Sequence, residues 1–259
     1  MPNLFMPYLI YLVVFLFGLV VGSFLNVVIC RLKTKETVIT GRSHCPQCRA
    51  VLKWHDLIPV FSFLIQKAKC RYCQKKISWQ YLLVEIATGL LFIFIFNQLY
   101  PDYINLIYYL IVSSLLLVIF VYDLKHYIIP DKIVFPGIAL ALLYLVYTQS
   151  LSPIWAGLGA SGFFLALVLV SKGRWMGLGD VKLAFFMGLI LDWPGILVAL
   201  FLSFFSGAII GLILIGFKKK GFKSEIPFGP FLVGSTLIAM FYSQQLISWY
   251  QSLWITLFL

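Results

Sequence analysis

The stretch YLIYLVVFLFGLVVGSFLNVVI, residues 8–29, is predominantly apolar and contains no charged residue. A transmembrane helix needs about 20 consecutive apolar residues, so this stretch is long enough to cross a bilayer. Seven further apolar runs follow it, at residues 81–99, 104–122, 133–147, 154–170, 181–191, 194–217 and 228–247. We therefore predict an all-α polytopic membrane protein with about eight transmembrane helices.

The composition of the chain excludes the other broad classes of protein. Of its 259 residues, 62% are hydrophobic and only 11% are charged. A soluble domain is about 45–50% apolar and about 25% charged, so this chain lacks the charge to cover a water-exposed surface. Intrinsic disorder is excluded as well, because 24 phenylalanine and 14 tyrosine residues would not remain solvated.

The positive charge lies in the gaps between the apolar runs. All 20 lysine and arginine residues fall within residues 31–76, 125–132, 172–182 and 218–223. Eight crossings place these loops on one side of the membrane, and the positive-inside rule makes that side cytoplasmic. A nucleic-acid-binding protein would carry its charge on a soluble face, so we expect membrane lipid and no nucleic acid as a partner.

We divide the chain into three parts. Residues 1–30 form the first transmembrane helix, residues 31–80 form a cytoplasmic loop domain, and residues 81–259 form a seven-helix membrane domain. A cleaved signal peptide is the alternative for the first part. It is disfavoured because no lysine or arginine precedes the apolar run.

Four of the five cysteines form two C-x2-C knuckles in the loop domain. Cys45 and Cys48 make the first knuckle, and Cys70 and Cys73 make the second. Paired knuckles at about this separation are typical of zinc ribbons, where four thiolates surround one ion in a closed, structural site. Two disulfides are the alternative, but thiols stay reduced in the cytoplasm. The sequence therefore predicts a zinc-ribbon-like loop with structural zinc.

Two carboxylates lie at the predicted cytoplasmic ends of membrane helices. Asp123 ends the third apolar run, and Asp180 precedes the sixth in the sequence Gly-Leu-Gly-Asp, residues 177–180. An ionisable residue at a membrane edge is a candidate functional residue. Two adjacent carboxylates cannot both ionise, so they would share one proton, as in aspartic proteolysis. We expect Asp180, at a helix N-terminus, to be the ionised base and Asp123 the acid.

Helix capping is the simpler interpretation of Asp180 and of a third acidic residue, Asp131. Asp180 could cap the sixth apolar run without any catalytic role. Asp131, which follows Pro130, is expected to cap the fourth run.

Several signatures in order make the chain resemble the type IV prepilin leader peptidases, which are GxGD-type membrane aspartic proteases. They are found at residues 22–31, 56–59, 81–85, 123–131, 177–183 and 226–230, with the cysteine knuckles among them. The resemblance implies a multi-pass enzyme of the bacterial plasma (inner) membrane with its active site at the cytoplasmic face. It matches Asp123 and Asp180 to the two catalytic aspartates.

The resemblance also implies a substrate and a second activity. Members of the family remove the short basic leader of type IV prepilin or pseudopilin precursors on the cytoplasmic side. Those with a cysteine-rich loop usually also methylate the new N-terminus with S-adenosylmethionine. No nucleotide-binding motif supports this second activity in the sequence itself. The places to look for it are the zinc loop, residues 22–26 and Glu85.

Three other functions are compatible with parts of the sequence. A presenilin-like intramembrane protease shares Tyr122-Asp123 and residues 177–180, but it does not explain the cysteine loop. A transporter could use the two aspartates as proton or ion ligands, although its site would lie nearer the bilayer midplane. A zinc-dependent scaffold would need neither aspartate.

Overall fold

A computed structural model of the chain describes residues 5–33, 41–217 and 226–258, and it is almost entirely helical. Within these residues the structure contains no β-strand, only two isolated bridges in the loop between α1 and α3. The prediction of an all-α protein is confirmed. The helices are α1 (Phe5–Leu32), α2 (Phe61–Ile65), α3 (Gln80–Leu99), α4 (Tyr103–His126), α5 (Asp131–Thr148), α6 (Ser152–Ser171), α7 (Leu178–Gly216) and α8 (Gly229–Phe258).

Seven of the described helices are long and apolar enough to cross a membrane, namely all except α2. The sixth of them, α7, has 39 residues and contains two residues with non-helical backbone angles, Asp192 and Trp193. A straight helix of this length would be about 58 Å long, almost twice the hydrocarbon thickness of about 30 Å. The break divides α7 into a first arm, residues 178–191, and a second arm, residues 194–216.

The contacts of α7 require the chain to reverse at this break. Asp180 in the first arm interacts electrostatically with Asp123, whose carboxylate accepts a hydrogen bond from the N–H of Gly229 at the start of α8. A Cβ added to Gly207 in the second arm would lie 3.5 Å from the ring of Phe228, also at the start of α8. In a straight helix Asp180 and Gly207 would be about 40 Å apart. The two arms therefore fold back on each other, which supports the predicted count of about eight apolar segments.

Small residues hold the first arm of α7 against α6. A Cβ added to Gly188 would overlap the Cα of Gly157, so the two backbones are in direct contact. Ser152 at the start of α6 donates a hydrogen bond of 2.7 Å to Asp192 at the break. In membranes, where apolar surface gives no net driving force, such close packing of small residues is a main source of helix association. It fixes the position of the first arm, whose N-terminus carries Asp180.

The chain divides into two compact units between Val118 and Ile119. In the first unit, α1 packs antiparallel to α3 through glycines. A Cβ added to Gly18 would lie 2.7 Å from the Cα of Gly89, and one added to Gly22 would lie 2.7 Å from the Cα of Glu85. The cysteine loop connects these two helices. The second unit contains the last turns of α4 and all of α5 to α8, and with them both aspartates.

Candidate active site and metal centre

Asp123 lies near the C-terminal end of α4 and is only 4% exposed. The backbone N–H of Gly229, at the start of α8, donates a hydrogen bond to its carboxylate. A buried carboxylate in an apolar helix is costly unless it is hydrogen-bonded, and this N–H stabilises it.

Asp180 lies in the first turn of α7 and is partly exposed. Its Oδ2 accepts a hydrogen bond of 3.2 Å from the N–H of Gly177, the N-cap residue of the helix. Part of the capping interpretation is therefore correct, because Asp180 does close the N-terminus of α7. Capping does not account for the second observation, which is that Asp180 also interacts electrostatically with Asp123.

Two contacts bring the first turn of α7 to the end of α4. The segment after α4 packs on Gly179, where an added Cβ would lie 3.0 Å from the Cβ of Ile129. Asp131 at the start of α5 accepts hydrogen bonds of 2.8 and 2.9 Å from the Nζ of Lys182, the fifth residue of α7. Gly179 permits the close approach, and the ion pair sets the rotation of the helix.

The prediction that Asp131 caps α5 is wrong. The N-cap residue is Pro130, with no side-chain hydrogen bond, and Asp131 is the first residue of the helix. Its carboxylate is bound by Lys182 instead, and the same ammonium group lies 5.2 Å from the centre of the Phe135 ring. The ammonium group of Lys182, on a different helix, binds the Asp131 carboxylate in place of the backbone N–H groups of α5. The sequence around Asp131 gives no sign of this distant partner.

Gly229 is the site residue that reasoning from the sequence missed. An added Cβ there would lie 2.5 Å from Oδ2 of Asp123 and 3.0 Å from its Cγ. Only glycine allows the backbone to come this close to the carboxylate. The available signal was the sequence Ile-Pro-Phe-Gly-Pro at residues 226–230, because glycine next to proline at a helix start indicates a close backbone approach.

The two cysteine knuckles have the same backbone conformation. In the first, Cys45 N–H donates to Ala50 O at 3.0 Å, and Arg49 N–H donates to Cys45 O at 2.9 Å. In the second, Cys70 N–H donates to Lys75 O and Gln74 N–H donates to Cys70 O, both at 2.9 Å. Each knuckle is closed by one antiparallel bridge. Two equivalent turns facing each other are the arrangement that the spacing predicts for a zinc ribbon.

The four sulfur atoms lie within 4.8 Å of one another, and the Sγ atoms of Cys45 and Cys73 are 4.0 Å apart. A tetrahedron with Zn–S bonds of about 2.3 Å has sulfurs about 3.8 Å apart, so a small contraction would complete it. Burial raises the pKa of Cys45, but N–H groups of Cys48 and Gln47 outweigh this and lower it to about 7. The N–H of Lys75 lowers the pKa of Cys73, but burial and the neighbouring thiols raise it to about 11. The donor set fits a thiophilic cation that would replace the shared protons.

Asp56 connects the parts of the cysteine loop. Its side chain is 2% exposed, and its carboxylate contacts Arg71 Nε at 3.0 Å and accepts hydrogen bonds from Gln66 Nε2 and Tyr72 Oη, both at 3.2 Å. It also accepts the N–H of Lys53 at 3.2 Å. These donors belong to both halves of the loop, so Asp56 supports the second knuckle from outside the sulfur cluster.

Comparison with known proteins identifies the family. The protein-family model "Bacterial Peptidase A24 N-terminal domain" matches residues 16–99, and the model "Type IV leader peptidase family" matches residues 110–212. A prepilin leader peptidase/N-methyltransferase of Legionella pneumophila is 33% identical, over 96% of each chain. The chain belongs to the type IV leader peptidase family. A protein of the same name from Bacillus subtilis (strain 168) is 32% identical, over 92% of this chain and 96% of the relative.

The two family models match different parts of this leader peptidase family member, and the boundary between them lies near the division into two compact units. The first match contains both cysteine knuckles and Glu85, and the second contains Asp123 and Asp180. A type 4 prepilin-like proteins leader peptide-processing enzyme of Escherichia coli O78:H11 is 32% identical, over 83% of this chain and 87% of the relative. No solved structure matches the chain. These relatives do not favour the presenilin-like alternative.

Proposed function

We propose that the protein is a membrane aspartic endopeptidase that removes the leader of type IV prepilin-like precursors and then N-methylates the new N-terminus with S-adenosylmethionine. The observation that carries the proposal is that Asp180 and the buried Asp123, on separate helices, are close enough to interact electrostatically. Relatives that match nearly the whole chain bear both activities in their names. A substrate from the prepilin or pseudopilin class is consistent with these names.

The two aspartates would divide the proteolytic chemistry between them. The ionised carboxylate accepts a proton from a water molecule, and the protonated one donates a hydrogen bond to the scissile carbonyl. Asp180 lies in the first turn of α7, and Asp123 accepts an N–H from the first residue of α8. Because both carboxylates face the positive end of a helix, the dipole no longer distinguishes the base from the acid. The proton belongs to the pair.

The four cysteines would bind zinc as a structural ion. Four thiolates complete the tetrahedron and leave no position for a substrate, so the ion would stabilise the loop and take no part in either reaction. A loop of this size has little core of its own, so the metal would supply much of its stability.

Replacing Cys70 with serine is expected to remove zinc from the purified protein. Three thiolates hold the ion more weakly, and the hydroxyl that replaces the fourth is a poor ligand at neutral pH. Zinc per chain, measured by inductively coupled plasma mass spectrometry, should fall from about one to near zero. Cys30→Ser is the matched control, because Cys30 lies outside the sulfur cluster. Wild-type protein with neither zinc nor free thiols in this loop would establish disulfides instead.

We propose that the basic loops and the aspartates lie on the cytoplasmic side of the bacterial plasma (inner) membrane. The loop domain carries exposed apolar side chains, Trp54, Phe61, Leu64 and Ile65, beside Lys53, Lys67 and Lys69. Exposed apolar and basic groups in one loop suit an anionic lipid headgroup layer. The basic cluster between Lys218 and Lys223 lies outside the described residues.

The decisive experiment incubates purified protein with a prepilin and S-adenosylmethionine and measures the mass of the product N-terminus. We expect one cleavage at the leader junction and one added methyl group. Cleavage within the apolar segment of the substrate would favour the presenilin-like reaction. Absence of any cleavage would contradict the proposed peptidase activity.

A further inference from the structure

Four polar side chains lie along the contact between α1 and α3, two of them buried and two half-buried. Asn26 of α1 is 1% exposed and Glu85 of α3 is 7% exposed. Ser23, one turn before Asn26, hydrogen-bonds to Glu85. Buried polar groups between apolar helices are costly and need an explanation. We call this group, Ser23, Asn26, Gln80 and Glu85, the seam pocket.

Glu85 carries the carboxyl group of the seam pocket. Gly22 of α1 packs directly on the Cα of Glu85, so the backbone of Glu85 lies where the two helices touch. Its Oε2 accepts a hydrogen bond of 2.8 Å from the N–H of Val60, in the cysteine loop. Among the residues that the structure describes, no lysine or arginine pairs with it. Glu85 lies about 8 Å along α3 from its first residue, and therefore near the end of α3 that is joined to the cysteine loop.

Val60 adopts a backbone conformation that is rare for its residue type. Its angles, φ 63° and ψ −54°, are those of a γ-turn with a positive φ, and Phe61 N–H donates to Pro59 O at 2.6 Å across the turn. A β-branched residue at positive φ is strained and persists only when its surroundings hold it. Here the Glu85 carboxylate holds the turn, so the cysteine loop covers one side of the seam pocket. Such strain is found at functional sites.

One hydrogen-bond acceptor of the seam pocket has no donor. Asn26 Nδ2 donates to Tyr81 O at 3.0 Å, and Gln80 Nε2 donates to Asn26 Oδ1 at 3.2 Å. Both amide groups thus donate within the pocket, and Gln80 Oε1 is left buried with no hydrogen-bond partner. Together with the Glu85 carboxylate, this oxygen calls for a ligand that brings N–H donors and positive charge. A primary ammonium group has both.

We infer that the seam pocket binds the N-terminal ammonium group of the cleaved substrate and that Glu85 is the base that deprotonates it for methylation. This inference rests on the N-methyltransferase activity proposed above. In the pocket, Gln80 Oε1 accepts one ammonium N–H, and Glu85 removes a proton, which leaves a free lone pair on nitrogen. S-adenosylmethionine supplies the methyl group: the nitrogen lone pair forms the N–C bond while the C–S bond breaks and its electrons remain on sulfur. Glu85 then releases its proton to water.

A purely mechanical role for Glu85 makes a different prediction. If the carboxylate only anchors Val60, glutamine should replace it, because the amide oxygen still accepts the N–H and occupies the same volume. Glu85→Gln therefore separates a base from an anchor. The matched control is Thr88→Val, one turn further along α3. Thr88 is 1% exposed and its hydroxyl donates only to the carbonyl of Val84, at 2.7 Å.

The first measurement compares methylation with cleavage in full-length protein, with prepilin and S-adenosylmethionine. We expect Glu85→Gln to lower the methylated fraction of cleaved product by about a hundredfold or more, within the range for loss of a general base. The deficit should shrink as the pH rises from about 6 to about 8, because an α-amino group with a pKa near 7.7–8.0 then loses its proton without help. Thr88→Val should methylate like the wild type at every pH.

The second measurement needs no methyl donor. A synthetic peptide with the mature N-terminus should bind the wild type about ten times more tightly than the same peptide acetylated, a factor that corresponds to about 1.4 kcal/mol. Glu85→Gln should lose this preference, and Thr88→Val should keep it. Equal methylation by Glu85→Gln and wild type, a parallel loss of cleavage and methylation, or no preference in the wild type would each overturn the inference. Wild-type protein that cleaves but never methylates would instead show that the proposed N-methyltransferase activity is wrong. The proposed role of Glu85 as a base would then be wrong as well.

Discussion

Replacing either Asp123 or Asp180 with asparagine is expected to reduce leader cleavage by about 10³- to 10⁴-fold. An amide cannot accept a proton from water or donate one to a carbonyl in the way a carboxyl group does, and each role contributes about 10²- to 10⁴-fold. Asparagine has nearly the same shape as aspartate, so the N–H groups of Gly229 and Gly177 keep an acceptor. Cleavage of a prepilin by purified protein, followed over time by mass spectrometry, measures the loss.

Asp102→Asn is the matched control for this experiment. Asp102 immediately precedes α4 and accepts a hydrogen bond of 3.2 Å from the N–H of Asn105, so it lies at the opposite end of the helix that carries Asp123. We expect this variant to cleave like the wild type. Elution as a single species in detergent shows whether each variant is folded. A folded Asp123→Asn or Asp180→Asn protein that cleaves within about tenfold of the wild type would contradict the dyad.

Much of the fold follows from the sequence because the bilayer imposes a simple rule. Backbone groups in hydrocarbon must be paired within the segment, so each long apolar run becomes a helix. The short run 181–191 is correctly separated from the next one, because Asp192 and Pro194 interrupt the pattern where the backbone leaves the helix. The cysteine spacing predicts the knuckles for a similar reason, since two intervening residues fit only a few turns.

The contacts around the aspartates depend instead on partners that are distant in sequence. Lys182 binds Asp131 across 51 residues, and the donor to Asp123 is a backbone N–H that every non-proline residue possesses. Neither interaction changes the local pattern from which a helix or a cap is predicted. Val60 is a stronger example, because a valine argues against a positive φ and the hydrogen bond from its N–H goes to Glu85, 25 residues away. The sequence therefore predicts which side chains are reactive, but it does not predict the hydrogen-bond and ion-pair partners that position them.

Replacing Gly229 with alanine is expected to reduce cleavage by about a hundredfold without unfolding the protein. The new methyl group would lie 2.5 Å from Oδ2 of Asp123 and 3.0 Å from its Cγ, so the carboxylate must rotate away. Rotation breaks its hydrogen bond to the Gly229 N–H and moves it from the position that faces Asp180. A displacement of about 1 Å can cost a factor of about 10² in rate. Turnover should fall more than substrate affinity, because the change lies at the reacting groups.

Gly234→Ala provides the comparison on the same helix. No atom lies within 4 Å of the position that its Cβ would occupy, so the methyl group enters open space. Both substitutions favour the helical state by up to about 1 kcal/mol, so neither should weaken α8 itself. If Gly234→Ala keeps its activity and Gly229→Ala loses it, the loss comes from the contact with Asp123. Equal activity of the two variants would mean that Asp123 can leave its hydrogen bond without consequence, and the N-terminus of α8 would then have no part in positioning the dyad.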